Sequence, residues 1–133
     1  MSKERPRVVA VVINNKRVLL LHRWNNGEEY YILPGGGQEQ GETLKETITR
    51  EIKEELNLKV KNLKRLFKFT NLGHQEYYYL ITEFSGSLKV IGDSSEEKKI
   101  KDRIVWSNLE KLKGLNLLPL KAKKRILTLL KNY

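Results

Sequence analysis

A proline and three glycines, Pro34-Gly35-Gly36-Gly37, run within a few residues into the carboxylate-rich stretch GGQEQGETLKETITREIKEELNL (36–58). That junction constrains the fold more than any other part of the chain. Proline and glycine stop a strand. Thr43, with Glu46 three residues on, reads as a capping box that opens a helix. Leu44, Ile48, Ile52 and Leu56 recur at helical spacing and make one buried stripe. Glu51 and Glu55 fall one turn apart at the border of that stripe, and Glu54 flanks them. Packing does not ask for three carboxylates there, because like charges repel and cost stability. A divalent cation would remove that cost. Hard cations such as Mg²⁺ are held by carboxylate oxygens and share their coordination with waters and substrate phosphates. The segment therefore reads as a metal site that works on a phosphate ester or anhydride.

The flanking sequence supplies a scaffold. The runs 7–13 and 17–23 are aliphatic or β-branched and joined by Asn14-Asn15, a hairpin signature. Residues 24–29 read as a polar loop and 30–33 as a short strand. The runs 63–70 and 76–84 read as strands paired around Asn71-Leu72-Gly73-His74, with 86–92 extending the sheet and 93–99 a charged loop. A last strand is expected at 104–106, a helical turn at 109–112, and an amphipathic helix from Pro119 to about Lys131. The pattern is α+β, a mixed β-sheet flanked by helices.

At 133 residues the chain is expected to form one domain, 1–133, with a real core. It has no cysteine, so neither disulfides nor thiolate metal sites, and a reducing cytoplasm is the natural setting. The apolar run 8–13 is too short for a membrane span or a signal-peptide core. The net charge of +10 attracts polyanions. Yet six of the sixteen acids lie between Glu39 and Glu55, so the basic body carries an acidic pocket, which suits a polyphosphate substrate.

The stretch 36–58 resembles the Nudix box, the signature of the Nudix hydrolases. Gly36, Glu42, Arg50, Glu51, Ile52, Glu54, Glu55 and Leu58 stand at the spacing of that signature, and Asn57 replaces its glycine. Asn is a common substitute where a helix closes in a left-handed conformation. The resemblance implies an αβα sandwich and an enzyme that uses Mg²⁺ or Mn²⁺ and a water. Such an enzyme cleaves a nucleoside diphosphate linked to another group: a nucleoside triphosphate, ADP-ribose, a nucleotide sugar or a dinucleoside polyphosphate. An RNA 5′-end pyrophosphohydrolase and a non-catalytic binding module are the alternatives. The chain keeps every box glutamate, which counts against the module.

Within that frame the metal ligands are expected to be Glu51, Glu54, Glu55 and, by the resemblance, the Gly35 carbonyl. Arg50 orients the glutamates and can pair with Glu46 and Glu54. Glu42 has two roles open to it, stabilising the helix start or holding a metal-bound water. The general base is a box glutamate or one of Glu96 and Glu97, with Glu97 the residue placed in the catalytic set. Gly36, Gly37, Arg23 and Tyr31 are assigned to the substrate, because glycine lets backbone approach phosphate and an aromatic ring stacks on a base. His22 and His74 have no metal-ligand spacing. Lys121, Lys123, Lys124 and Arg125 read as the wet face of the last helix. The expected partner is a small nucleotide, with RNA less favoured, no membrane, and homodimerisation open.

Overall fold

The computed structural model describes residues 5–90 and 100–133. Its elements in chain order are β1 (Arg7–Asn14), β2 (Arg17–Asn25), β3 (Glu28–Ile32), β4 (Gly35–Gly37), α1 (Leu44–Leu56), β5 (Lys59–Val60), β6 (Lys64–Asn71), β7 (His74–Ile81), β8 (Phe84–Ser85), β9 (Ile100–Ser107), α2 (Leu109–Lys113) and α3 (Leu120–Lys131). The architecture is the expected α+β, a mixed sheet flanked by helices. It is mixed because β1 pairs with β7 in parallel while the other strand pairings are antiparallel. The chain divides into two compact units, Met1–Val12 with Pro34–Ile91, and Ile13–Leu33 with Gly92–Tyr133.

In the first unit β1 lies between β4 and β7, and β6 continues from β7. Val8, Ala10, Val11 and Val12 are wholly buried, as are Tyr78 and Ile81. Consecutive buried residues on one strand mean that both faces of the sheet are covered, so strict alternation disappears. The β6–β7 hairpin turns at Leu72-Gly73, with φ of 51° and 84°.

Helix α1 lies against β4 and β5. Its ends follow the sequence. Thr43 Oγ1 accepts the Glu46 N–H at 3.1 Å, and Glu46 Oε1 accepts the Thr43 N–H at 2.8 Å. Ile48, Ile52 and Leu56 are fully buried, each contributing about 1.5–3 kcal/mol. Leu44, in the first turn, is only half-buried, and Thr47 joins the buried set instead.

Asn57 closes the helix at φ 59°, ψ 31°, a left-handed residue, and its N–H bonds the Lys53 carbonyl at 3.0 Å. Its amide also donates to the Ser87 carbonyl at 3.0 Å. Asn57→Gly would relieve left-handed strain of about 1 kcal/mol and remove a bond worth about the same. We expect chemical denaturation to show a stability change within about 1 kcal/mol. A larger loss would mean that the Ser87 bond outweighs the backbone term.

In the second unit β2 lies between β3 and β9. Val18, Leu19 and Leu20 are fully buried, and Leu21 nearly so. α2 packs on α3, whose Ala122, Ile126 and Leu130 form the buried stripe at helical spacing.

Three expectations need correction. Residues 24–29 are no loop: β2 runs to Asn25 and β3 starts at Glu28 around a two-residue Asn26-Gly27 turn with φ of 54° and 84°. Asn-Gly is the strongest short hairpin signal, because both turn residues need positive φ. The glycines 35–37 form a strand in place of a plain turn, since they find the edge of β1. Residues 86–90 do not extend the sheet; β8 ends at Ser85, paired with β5. The loop at 93–99 lies outside the described residues.

Candidate active site

The site is built on two neighbours in the first unit, the glycine strand β4 and the helix α1. Arg7, Val8 and Val9 of β1 pair with Gly37, Gly36 and Gly35. At Gly35 a β-carbon would run into the Val8 carbonyl, and at Gly36 into the Glu51 carboxylate. Glycine is therefore a steric requirement of the backbone pairing at Gly35, and at Gly36 a requirement only for the place that Glu51 takes. At Gly36 the missing side chain is what lets Glu51 lie on the strand.

Arg50 organises the acids. Its Nε donates to Glu42 Oε2 at 2.6 Å and its Nη2 to Glu42 Oε1 at 3.0 Å, a two-pronged pair. Nη2 also reaches the Gly37 carbonyl at 3.2 Å. Nη1 bonds Glu51 Oε1 at 2.9 Å and Glu54 Oε2 at 3.2 Å, and Glu39 stands 3.8 Å away. Paired to several carboxylates, the guanidinium is held charged well above its ordinary range, chiefly through its bond to Glu42. The expected pairing with Glu46 is not made through that residue's capping oxygen, which Thr43 takes; Glu42, eight residues back, supplies the main partner instead. The sequence conceals this because Glu42 lies outside the helix.

The carboxylates differ in setting. Glu51 exposes 18% of its side chain and Glu54 61%. Glu55, one turn from Glu51, is half-buried. The Glu42 carboxylate collects four hydrogen bonds, from the Glu39 N–H at 2.9 Å, the Thr47 hydroxyl at 3.1 Å and two from Arg50. It is thus an anchor for Arg50, a role different from the two that the sequence left open. These donors, Arg50 first, bring its pKa down from 4.5 to about 2. A depressed carboxylate adds stability that is present above the unfolded pKa and lost as pH falls through the folded one. Acid should therefore erode stability between about pH 4.5 and pH 2. Glu42→Gln should flatten that part of the profile, read by thermal unfolding across the range. An unchanged acid limb would show that Glu42 is not so held.

Among the described residues, no three His, Asp or Glu side chains form a ready metal cage. The donors still suit a hard cation. Oxygens of Glu51 and Glu54 both accept from Arg50 Nη1, so the guanidinium already offsets part of their repulsion. All the donors are oxygens.

The remaining sequence candidates lie elsewhere. Glu96 and Glu97 fall outside the described residues. Arg23 and Tyr31 belong to the second unit. Arg23 makes a two-pronged pair with Asp102, Nε to Oδ1 at 2.8 Å and Nη2 to Oδ2 at 2.9 Å, which raises its pKa further. Tyr31 stacks on His22 with ring centres 4.2 Å apart, and Trp24 lies 3.9 Å from the same imidazole. His22 Nε2 meets Glu29 at 2.6 Å. His74 contacts the Arg5 carbonyl at 3.2 Å. Lys123 donates to the carbonyls of Lys113 and Leu115, so it ties α3 to the end of α2.

Glycine strand, capped helix and arginine-gathered carboxylates are thus brought together in one place. The family model for the NUDIX domain matches residues 3–130, and the chain belongs to the Nudix hydrolase family. An ADP-ribose pyrophosphatase of Methanocaldococcus jannaschii is 32% identical, the match covering 76% of this chain and 73% of that protein. Among solved structures, one of MutT, described for Aliivibrio salmonicida and Vibrio cholerae, has a TM-score of 0.76 at 19% identity and covers 95% of both chains. A Nudix hydrolase of Clostridium perfringens has a TM-score of 0.72 at 20% identity, covering 97% of each. These structures share the fold. No helix among the described residues is long and apolar enough to cross a membrane.

Proposed function

We propose that this Nudix hydrolase cleaves the phosphoanhydride of a nucleoside diphosphate linked to another group, with ADP-ribose as the leading substrate. The observation that carries the reading is the carboxylate array of α1, gathered by Arg50 against the glycine strand. The resemblance to an ADP-ribose pyrophosphatase supports the choice of substrate.

Glu51, Glu54, Glu55 and the Gly35 carbonyl would hold Mg²⁺ or Mn²⁺. When bound, such an ion neutralises charge growing on phosphate oxygens and lowers the pKa of water. The protein's own part is positional. Arg50 holds Glu51 and Glu54 in register with Gly37. The space beside Gly36 holds the Glu51 carboxylate and that beside Gly37 the Arg5 guanidinium, and the backbone of the two glycines is assigned to the diphosphate. A carboxylate takes the proton of the attacking water, and Glu51, Glu96 and Glu97 are the candidates.

The reading is tested by product analysis with Mg²⁺ and Mn²⁺ on ADP-ribose, nucleoside triphosphates, nucleotide sugars, dinucleoside polyphosphates and triphosphorylated RNA. ADP-ribose should yield AMP and ribose 5-phosphate at the highest kcat/KM. Preference for a nucleoside triphosphate or for RNA would replace the substrate, and no turnover of any would overturn the hydrolytic reading.

A further inference from the structure

Thr47 is fully buried on the face of α1 that also carries Leu44, Ile48 and Glu51, where an aliphatic residue would pack as well. Its hydroxyl has two acceptors in reach, Glu42 Oε1 at 3.1 Å and the Thr43 carbonyl at 2.9 Å, but only one proton to give. Bonding back to the carbonyl four residues earlier is common for helical threonine. The carboxylate is ionised, and bonds to charged acceptors are the stronger. Charge therefore favours Glu42 as the acceptor.

Glu42 in turn grips Arg50 by both Nε and Nη2, which sets the guanidinium plane. That plane aims Nη1 at Glu51 and Glu54 and Nη2 at Gly37. A rotation at Glu42 would swing all three contacts. Gln38 steadies the same corner from the strand side, its amide donating to the Glu42 carbonyl at 2.7 Å. The Glu39 N–H fixes Oε1 from the loop, and Thr47 fixes it from the helix.

We propose that Thr47 is a positioning residue for the hydrolytic array, acting through Glu42 and Arg50 on Glu51. The inference rests on the reading above in one respect, that Glu51 belongs to the catalytic set. It predicts a hydroxyl requirement at a position where shape alone would accept valine.

The test compares Thr47→Val, which keeps the shape and removes the hydroxyl, with Thr47→Ser, which keeps the hydroxyl. Thr47→Ala repeats the deletion should valine disturb the fold. The first readout is the Arg50 Nε–H resonance, which a 2.6 Å bond protects from exchange with water. Its exchange should quicken about tenfold in the valine and alanine variants, the worth of one hydrogen bond to a charged group. It should return to within about twofold in serine. The second readout is binding of Mn²⁺ alone, expected to weaken several-fold on loss of the hydroxyl and to recover in serine. The third is steady-state kinetics on the best nucleotide, where kcat should fall about tenfold with KM nearly unchanged.

Wild-type exchange and Mn²⁺ affinity in the valine and alanine variants would overturn the proposal. So would a serine variant no better than valine, which would mean that Thr47 serves packing. The first two readouts need no substrate, so they decide the matter even if no nucleotide is turned over.

Discussion

Glu51→Gln is expected to lower kcat by about 10²- to 10³-fold, the usual effect of removing one charged group that acts on the transition state. The change swaps one carboxylate oxygen for an amide of nearly the same shape. Glutamine can still accept from Arg50 Nη1, so the melting temperature should stay within about 3 °C of wild type. Binding of Mn²⁺, followed without nucleotide, should weaken by a similar order. Metal-induced stabilisation should shrink with it, because a ligand stabilises only in proportion to its occupancy. Near-normal turnover in Glu51→Gln would remove Glu51 from the catalytic set and leave the proton transfer to another carboxylate, with Glu96 and Glu97 next in line.

Alanine at two adjacent glycines should produce opposite phenotypes. At Gly36 the new methyl group would take the space of the Glu51 carboxylate, the movable end of a long side chain. Glu51 would be pushed aside while the backbone stays, so Gly36→Ala should fold and melt near wild type yet lose activity by about 10²-fold. At Gly35 the methyl would meet the Val8 carbonyl and the Val9 backbone. Neither can step away without parting β4 from β1. Gly35→Ala should therefore cost about 3 kcal/mol and lower the melting temperature by about 10 °C. The pair is read by calorimetry and by kinetics on the folded fraction. A stable, active Gly36→Ala would show that Glu51 does not need to lie on the strand.

What the sequence made legible follows the range of the interactions. Thr43, Glu46 and Asn57 act within a few residues of themselves, and both ends of α1 are where their chemistry puts them. The buried stripe was equally plain, except at Leu44, whose first-turn position leaves it partly open. Glu42 was harder. Its charge was visible, but its partner Arg50 is eight residues away, beyond the one-turn spacing that helical pairing rules cover. Thr47 gave no signal because a threonine on an apolar stripe looks like a weak core residue. The strand at Gly35 depends on pairing with β1, about two dozen residues earlier in the chain, and three glycines give no β propensity to announce it. Asn26-Gly27 is a legible hairpin signal, masked by the polar residues around it.

The crowding of acceptors around Arg50 has a consequence for how such a chain can change over generations. Glu42, Glu51, Glu54 and the Gly37 carbonyl all draw on the same planar cation. Lysine offers one nitrogen and no fork, so it could serve two or three of them from one point. Once one member is altered, the others have already lost their common reference, and a second alteration has less left to disturb. Double mutants among positions 42, 50 and 51 should thus fall well short of the sum of their parts. Epistasis of that kind ties these positions together: a drifting lineage meets a steep first step and a shallow second, and replacements that survive here would arrive as sets.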